Sequence, residues 1–149
     1  MTIQKIKLAT IYIMALLYLS VGLKHFTDVD FFLSIMPDYI PWHKELVYLS
    51  GFFELLLALL LVNKPTRKYA AMALIALLLA VFPANIYLYT SEVAQEALGT
   101  TPKDALIRMP FQIPLILFAC WHGQEQSQKW LEVTCLVLFI PTLVYFLTL

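Results

Sequence analysis

Five stretches of the chain are apolar and nearly free of charge, and short polar segments separate them. They run over about 6–23, 42–62, 68–90, 102–121 and 131–148. A helix needs about 20 apolar residues to cross a bilayer, with a working range of about 17–25. The pattern therefore predicts an all-α membrane protein in one transmembrane domain, residues 1–149. Four of the helices make a transmembrane bundle, and the last run supplies a fifth, C-terminal transmembrane helix. Glu132 and Pro141 interrupt that last run, so two readings stay open for it: a full span, or a helix lying partly in the interface.

The polar segments carry their own signals. Thr27-Asp-Val-Asp30 has the form of a capping box and precedes Phe31–Met36, Pro37 and Pro41, which predicts a short helix lying on the membrane surface. Thr101-Pro-Lys-Asp104 combines an N-cap residue, a proline at the first helical position and an acid at the third, so the fourth helix starts at Pro102 with Arg108 about two turns inside. Trp42, Trp121 and Trp130 fall at predicted helix ends, where interfacial anchors belong. Ala76, Ala80 and Ala84 form a small-residue ridge against which another helix could pack closely. Lys5 and Lys7 precede the run Leu8 to Leu23, but no A-x-A-like site follows, so the first helix reads as retained rather than as a cleaved leader. Lys5, Lys7, the segment Asn63–Lys68 with its three cations, and Lys129 fall on one side of the membrane; by the positive-inside rule that side, with the N-terminus, is cytoplasmic.

Composition agrees. The chain has 149 residues, 61 % of them hydrophobic and 13 % charged, and the mean hydropathy is +0.78. Soluble domains carry about 25 % charged residues. Ten basic residues balance ten acidic ones with no basic block, which argues against nucleic acid as a partner. Cys120 and Cys135 form no C-x-x-C pair, so a thiol–disulfide relay is disfavoured and two inert thiols are expected.

The chemistry concentrates around Glu54, which lies within the apolar run Leu46–Val62. A carboxylate there costs about 2.5–3.5 kcal/mol on insertion scales, and intramembrane acids mark functional sites by default. The competing reading is a charge that only orients helices. Helix one offers Tyr18, Gly22 and His25 on one face, helix two offers Ser50, Gly51 and Glu54, helix three carries Pro83 and Asn85, and helix four carries Arg108 and Gln112 beside Pro110 and Pro114. All fall in the outer half of the bilayer, while the inner halves are nearly pure Leu, Ala, Val and Ile. The pattern predicts a polar pocket opening outward between helices one to four, with Glu54 at least about 90 % shielded from lipid. Arg108 is the expected partner of Glu54, because its guanidinium fork fits a carboxylate, and His25 is the runner-up. Asn85 and Gln112 could bind a ligand or bond helix to helix. His43 and His122 need no special account. One histidine and one carboxylate fall short of a metal-ligand set, and no nucleophile elbow or phosphate-binding glycine loop occurs.

Read in order, Gly22-Leu-Lys-His-Phe26, Met36-Pro-Asp-Tyr-Ile-Pro41, Ser50-Gly-Phe-Phe-Glu54, Val81-Phe-Pro-Ala-Asn85 and Arg108-Met-Pro-Phe-Gln112 resemble the DoxX-like family of small bacterial membrane proteins, over about residues 5–121. The resemblance implies a four-helix membrane bundle, from which residues 131–149 depart. Some relatives in that family are subunits of quinone-linked thiosulfate-oxidising complexes, and others associate with redox-stress enzymes. The expectation is a quinone- or lipophile-binding accessory subunit of a redox system in the bacterial inner membrane, with Glu54, Arg108, His25, Asn85, Gln112 and Ser50 as ligand-binding residues. No flavin, haem or iron–sulfur motif is visible, so a quinone is the candidate cofactor and a redox enzyme or a second copy of the chain the candidate partner. Two alternatives stand beside this: a non-catalytic scaffold whose buried charges lock the helices, and a small proton-coupled transporter, disfavoured by the short chain and the lack of an inverted repeat.

Overall fold

The computed structural model describes residues 2–148; Met1 and Leu149 lie outside the described residues. The described chain is helical throughout and has no strand. Five helical stretches are long and apolar enough to cross a membrane: Ile3–Thr27, His43–Val62, Arg67–Thr90, Pro102–Gly123 and Lys129–Leu147. Large apolar side chains such as Leu16, Leu59, Met72 and Val137 point outward along them. A water-soluble monomer rarely exposes contiguous apolar surface on this scale, whereas lipid requires it. The protein is a multi-pass membrane protein.

Helix α1 (Ile3–Thr27) runs one turn beyond its predicted end, with Lys24 and His25 in its last turn, where a cation complements the helix dipole. His25 is thus a helical residue on the same buried face as Tyr18 and Gly22. Helix α2 (Val29–Ser34) is the expected short surface helix, but the expected capping box is not made. Thr27 still belongs to α1 and its hydroxyl donates to the Leu23 carbonyl at 3.3 Å, so it is not free to cap α2. Helices α3 (His43–Val62) and α4 (Arg67–Thr90) follow. Arg67 closes the end of α3 by donating to the Leu61 and Val62 carbonyls at 2.9 and 2.8 Å. Helix α5 (Glu92–Leu98) was not expected, although Ser91 as N-cap and Gly99 in the left-handed conformation (φ 60°) are ordinary start and stop signals.

The fourth span begins at Pro102 as predicted, with the Thr101–Asp104 capping box fully formed. It is not one helix. Pro110 withholds a backbone donor at the break and Pro114 another in the first turn that follows, and the span divides into α6 (Pro102–Arg108) and α7 (Gln112–Gly123). Helix α8 (Lys129–Leu147) is a single helix through Pro141, long and apolar enough for a full span. It lies antiparallel along the whole of α7, with Phe139 edge-on to Phe118 at 5.3 Å and Tyr145 stacked on Phe111 at 3.8 Å between ring centroids. The two ends of the chain therefore lie at opposite ends of the bundle.

Helices α1, α3, α4 and α7 pack as neighbours in that order, and α8 covers the outer side of α7. At the base end, which holds the N-terminus and the α3–α4 and α7–α8 connections, the Thr10–His122 bond closes the ring at 3.0 Å. The main core lies on this side, around Met14, Ala58, Leu61, Leu74, Phe118 and Trp121. At the roof end, α2 and α5 cover the bundle with a second small core of Ile35, Leu88, Ala94 and Ala105.

Two packing expectations are corrected. Trp121 is fully buried in the main core, so it is no interfacial anchor; Trp42 and Trp130 are exposed as expected. The ridge of Ala76, Ala80 and Ala84 does not seat a helix, since Ala76 and Ala80 are exposed. Close approaches occur elsewhere. A side chain at Gly51 would run into the Cβ of His25, one at Gly22 would lie 3.0 Å from Leu55, and one at Gly123 would lie 2.7 Å from Ala71. Glycine is what lets α3 lie directly on α1, and α7 on α4.

Candidate functional site

Beneath the roof, between the four bundle helices, lies a cavity of about 450 Å³. Its walls are mostly Leu, Ile, Val, Pro and Phe. His25, Ser50, Glu54, Asn85, Arg108 and Gln112 all line it, and so does Tyr18. All six residues expected to bind a ligand thus share one void.

Their partners differ from expectation. Glu54 does not pair with Arg108. Glu54 Oε2 instead lies 3.7 Å from His25 Nε2, a contact that becomes an ion pair when the imidazole is protonated. The reason is the order of the helices. Glu54 sits on α3, which packs directly on α1 and so on His25, whereas Arg108 ends α6, which packs on α4 at the far side of the cavity. Arg108 makes no ion pair among the described residues. The Glu54 side chain retains 14 % exposure, slightly more than the tenth expected, because it borders the void.

The imidazole of His25 is held on three sides. Nδ1 lies 2.9 Å from the Val47 carbonyl and 3.1 Å from Ser50 Oγ. The Ser50 hydroxyl donates its hydrogen to Val47 O at 2.9 Å, and a carbonyl can only accept. Nδ1 therefore carries a hydrogen and Nε2 faces Glu54. Phe32 of α2 stacks on the ring at 3.6 Å between centroids. The spacing of Ser50 and His25 was legible in the sequence; the stacking roof residue was not, because α2 reaches the site only through the tertiary fold.

On the opposite wall, Asn85 Nδ2 donates to Gln112 Oε1 at 2.9 Å, and the Gln112 amide donates to the Leu78 carbonyl. Pro83 leaves the neighbouring Leu79 carbonyl without its helical donor, so α4 is locally loosened where Gln112 reaches it. Both amides are committed to holding α4 against α7, the second of the two roles foreseen for them.

Residues 14–123 match the family described as a domain of unknown function (DUF8561). The chain belongs to this family. No curated protein and no solved structure matches the chain. The DUF8561 region runs from the middle of α1 to the end of α7, so it contains every polar residue of the cavity and leaves α8 outside.

Within the DUF8561 region, three polar groups on the cavity wall lack a hydrogen bond or a counter-ion. Tyr18 Oη and Glu54 Oε2 are both buried and unbonded, and Arg108 lacks a counter-ion among the described residues. An unsatisfied buried polar atom costs about 1–3 kcal/mol. A tyrosine donor and a carboxylate on one side, with a five-donor guanidinium on the other, suit a molecule bearing oxygens at more than one position.

His122 had been given no role, and the structure corrects this. It is 2 % exposed, and the Thr10 hydroxyl, which donates to Lys7 O at 2.8 Å, accepts from its Nε2. This contact ties α1 to α7 at the base and lies outside the cavity. The lone threonine facing inward on an apolar helix was the available signal.

Proposed function

We propose that the protein is a DoxX-like subunit of a membrane redox system that holds a quinone-like lipophile in the cavity beneath the roof. The observation that carries this reading is a trio of groups in a mostly apolar void of about 450 Å³: Tyr18 Oη and Glu54 Oε2, which lack a hydrogen bond, and Arg108, which lacks a counter-ion among the described residues. Small-molecule sites are mostly apolar clefts of about 300–1,000 Å³ with a few convergent polar groups. The ring oxygens of a quinone would accept from Tyr18 Oη at one end and from Arg108 at the other, and Glu54 would accept from a ring hydroxyl of the reduced form. The redox setting and the bacterial inner membrane come from the resemblance to DoxX-like proteins. The cytoplasmic N-terminus comes from the cations of the base end, Lys5, Lys7, Lys64, Arg67, Lys68 and Lys129.

A second reading is a scaffold whose polar residues only fix the helices. The Asn85–Gln112–Leu78 chain of hydrogen bonds favours it for those two amides. Titrating a decyl-tailed benzoquinone into the purified protein in lipid nanodiscs, with Glu54→Gln and Arg108→Gln variants, separates the two. The binding reading expects each variant to stay folded and to bind about tenfold more weakly or worse. The scaffold reading expects no quinone bound by the unaltered protein and lowered stability in both variants.

A further inference from the structure

The roof of the cavity is shut. Ile35 and Pro37 are buried, Phe32 covers His25, His43 Nε2 donates to the Pro37 carbonyl at 3.1 Å, and Tyr87 Oη donates to Asp38 at 3.0 Å. The base is shut by the main core. The side is not. At the base half, α3 and α4 meet through buried Leu57, Ala58, Leu61, Ala70, Ala71 and Leu74. Toward the roof their facing residues change character. Leu49 and Phe53 of α3 line the cavity and are 49 % and 39 % exposed, far more than the buried residues at the base of the same helix. Ala80 of α4 also lines the cavity and is exposed, and Ala84, one turn on, is too small to fill the space. Leu49, Phe53 and Ala80 thus line the void and are exposed as well, and Ala84 is half-buried beside them.

We infer that the cavity opens sideways into the bilayer between α3 and α4, and that its occupant is an amphiphile whose polar head lies beneath the roof while a hydrocarbon tail leaves through this gap. The inference rests on the proposed binding function and adds the route and the shape of the ligand. The chemistry is consistent along the path. The rim is entirely apolar, so a polar solute gains nothing there, whereas a tail exchanges lipid contacts for Leu49, Phe53 and the alanine rim at little cost. The free polar groups begin only inside, at Tyr18, Glu54 and Arg108. The exposed alanine at 80, which seats no neighbouring helix, has a use here: a larger side chain would close the gap.

The test uses the full chain in lipid nanodiscs and two probes, a decyl-tailed benzoquinone and the same benzoquinone with a methyl group in place of the tail. Ala80→Trp and Leu49→Trp place bulk on either rim, and Ala76→Trp places it on an exposed position outside the cavity. The expected result is that both rim variants weaken the decyl compound by about tenfold or more relative to the unaltered protein, leave the methyl compound within about twofold, and that Ala76→Trp changes neither. Undiminished binding of the decyl compound by both rim variants overturns the inference, and so does equal loss of the two compounds. Failure of the unaltered protein to bind either compound overturns the proposed function, and the gap loses its purpose with it.

Discussion

Tyr18 gives the sharpest residue-scale distinction between a site and a lock. Its hydroxyl is buried and bonded to nothing, so removing it deletes an unsatisfied group rather than an interaction. Tyr18→Phe should leave the thermal midpoint unchanged or raise it, while weakening quinone binding by about threefold to tenfold, the worth of one hydrogen bond. A fall in stability with binding intact would assign Tyr18 to packing alone. The residues of the site were largely legible in the sequence, because polar side chains recurring at one depth in apolar helices have few places to go. Their pairing was not. Glu54 and Arg108 attract by type, but which groups meet depends on which helices are neighbours, and His25 sits on the adjacent helix. His122 was missed for a similar reason: its partner, Thr10, is far away in sequence and near only in the fold.

At the scale of elements, the glycines set the spacing. Gly51 accepts the His25 Cβ where a methyl group would overlap it, with the Gly22 carbonyl 3.1 Å from the same point. Gly51→Ala should push α3 off α1, costing about 1–3 kcal/mol as an overpacked core does, and should displace His25 from Glu54. The measurement is thermal unfolding in detergent beside quinone affinity, and unchanged values for both would show that the helices part without consequence. Element boundaries were read well where the local chemistry is complete, as in the Thr101–Asp104 capping box. They were read poorly where one residue served two masters. Thr27 was needed by α1 and could not cap α2, and the apolar run through Pro110 hid a break that hydropathy does not register.

For the whole molecule, hydropathy alone was enough to count the spans, since lipid permits only helices whose backbone groups are satisfied within the segment. The status of α8 was beyond it, because Glu132 and Pro141 argue locally against a span that the packing of Phe139 and Tyr145 on α7 supports. Five crossings place the two termini on opposite faces of the membrane. Reporter fusions to the N-terminus and C-terminus should therefore give opposite signals, with a fusion in the 63–66 connection matching the N-terminus; like signals from both termini would remove α8 from the bilayer. The cavity was foreseen as a polar pocket opening outward between helices one to four, whereas the side opening inferred between α3 and α4 depends on which small residues come to face each other there, which no single helix encodes. Its occupancy is the central matter. Native mass spectrometry of the protein released from its own membranes should find one small lipophile retained per chain, lost in Glu54→Gln and Arg108→Gln variants that remain folded. A chain that emerges without a bound molecule, or that retains the same one in both variants, would contradict a binding site beneath the roof.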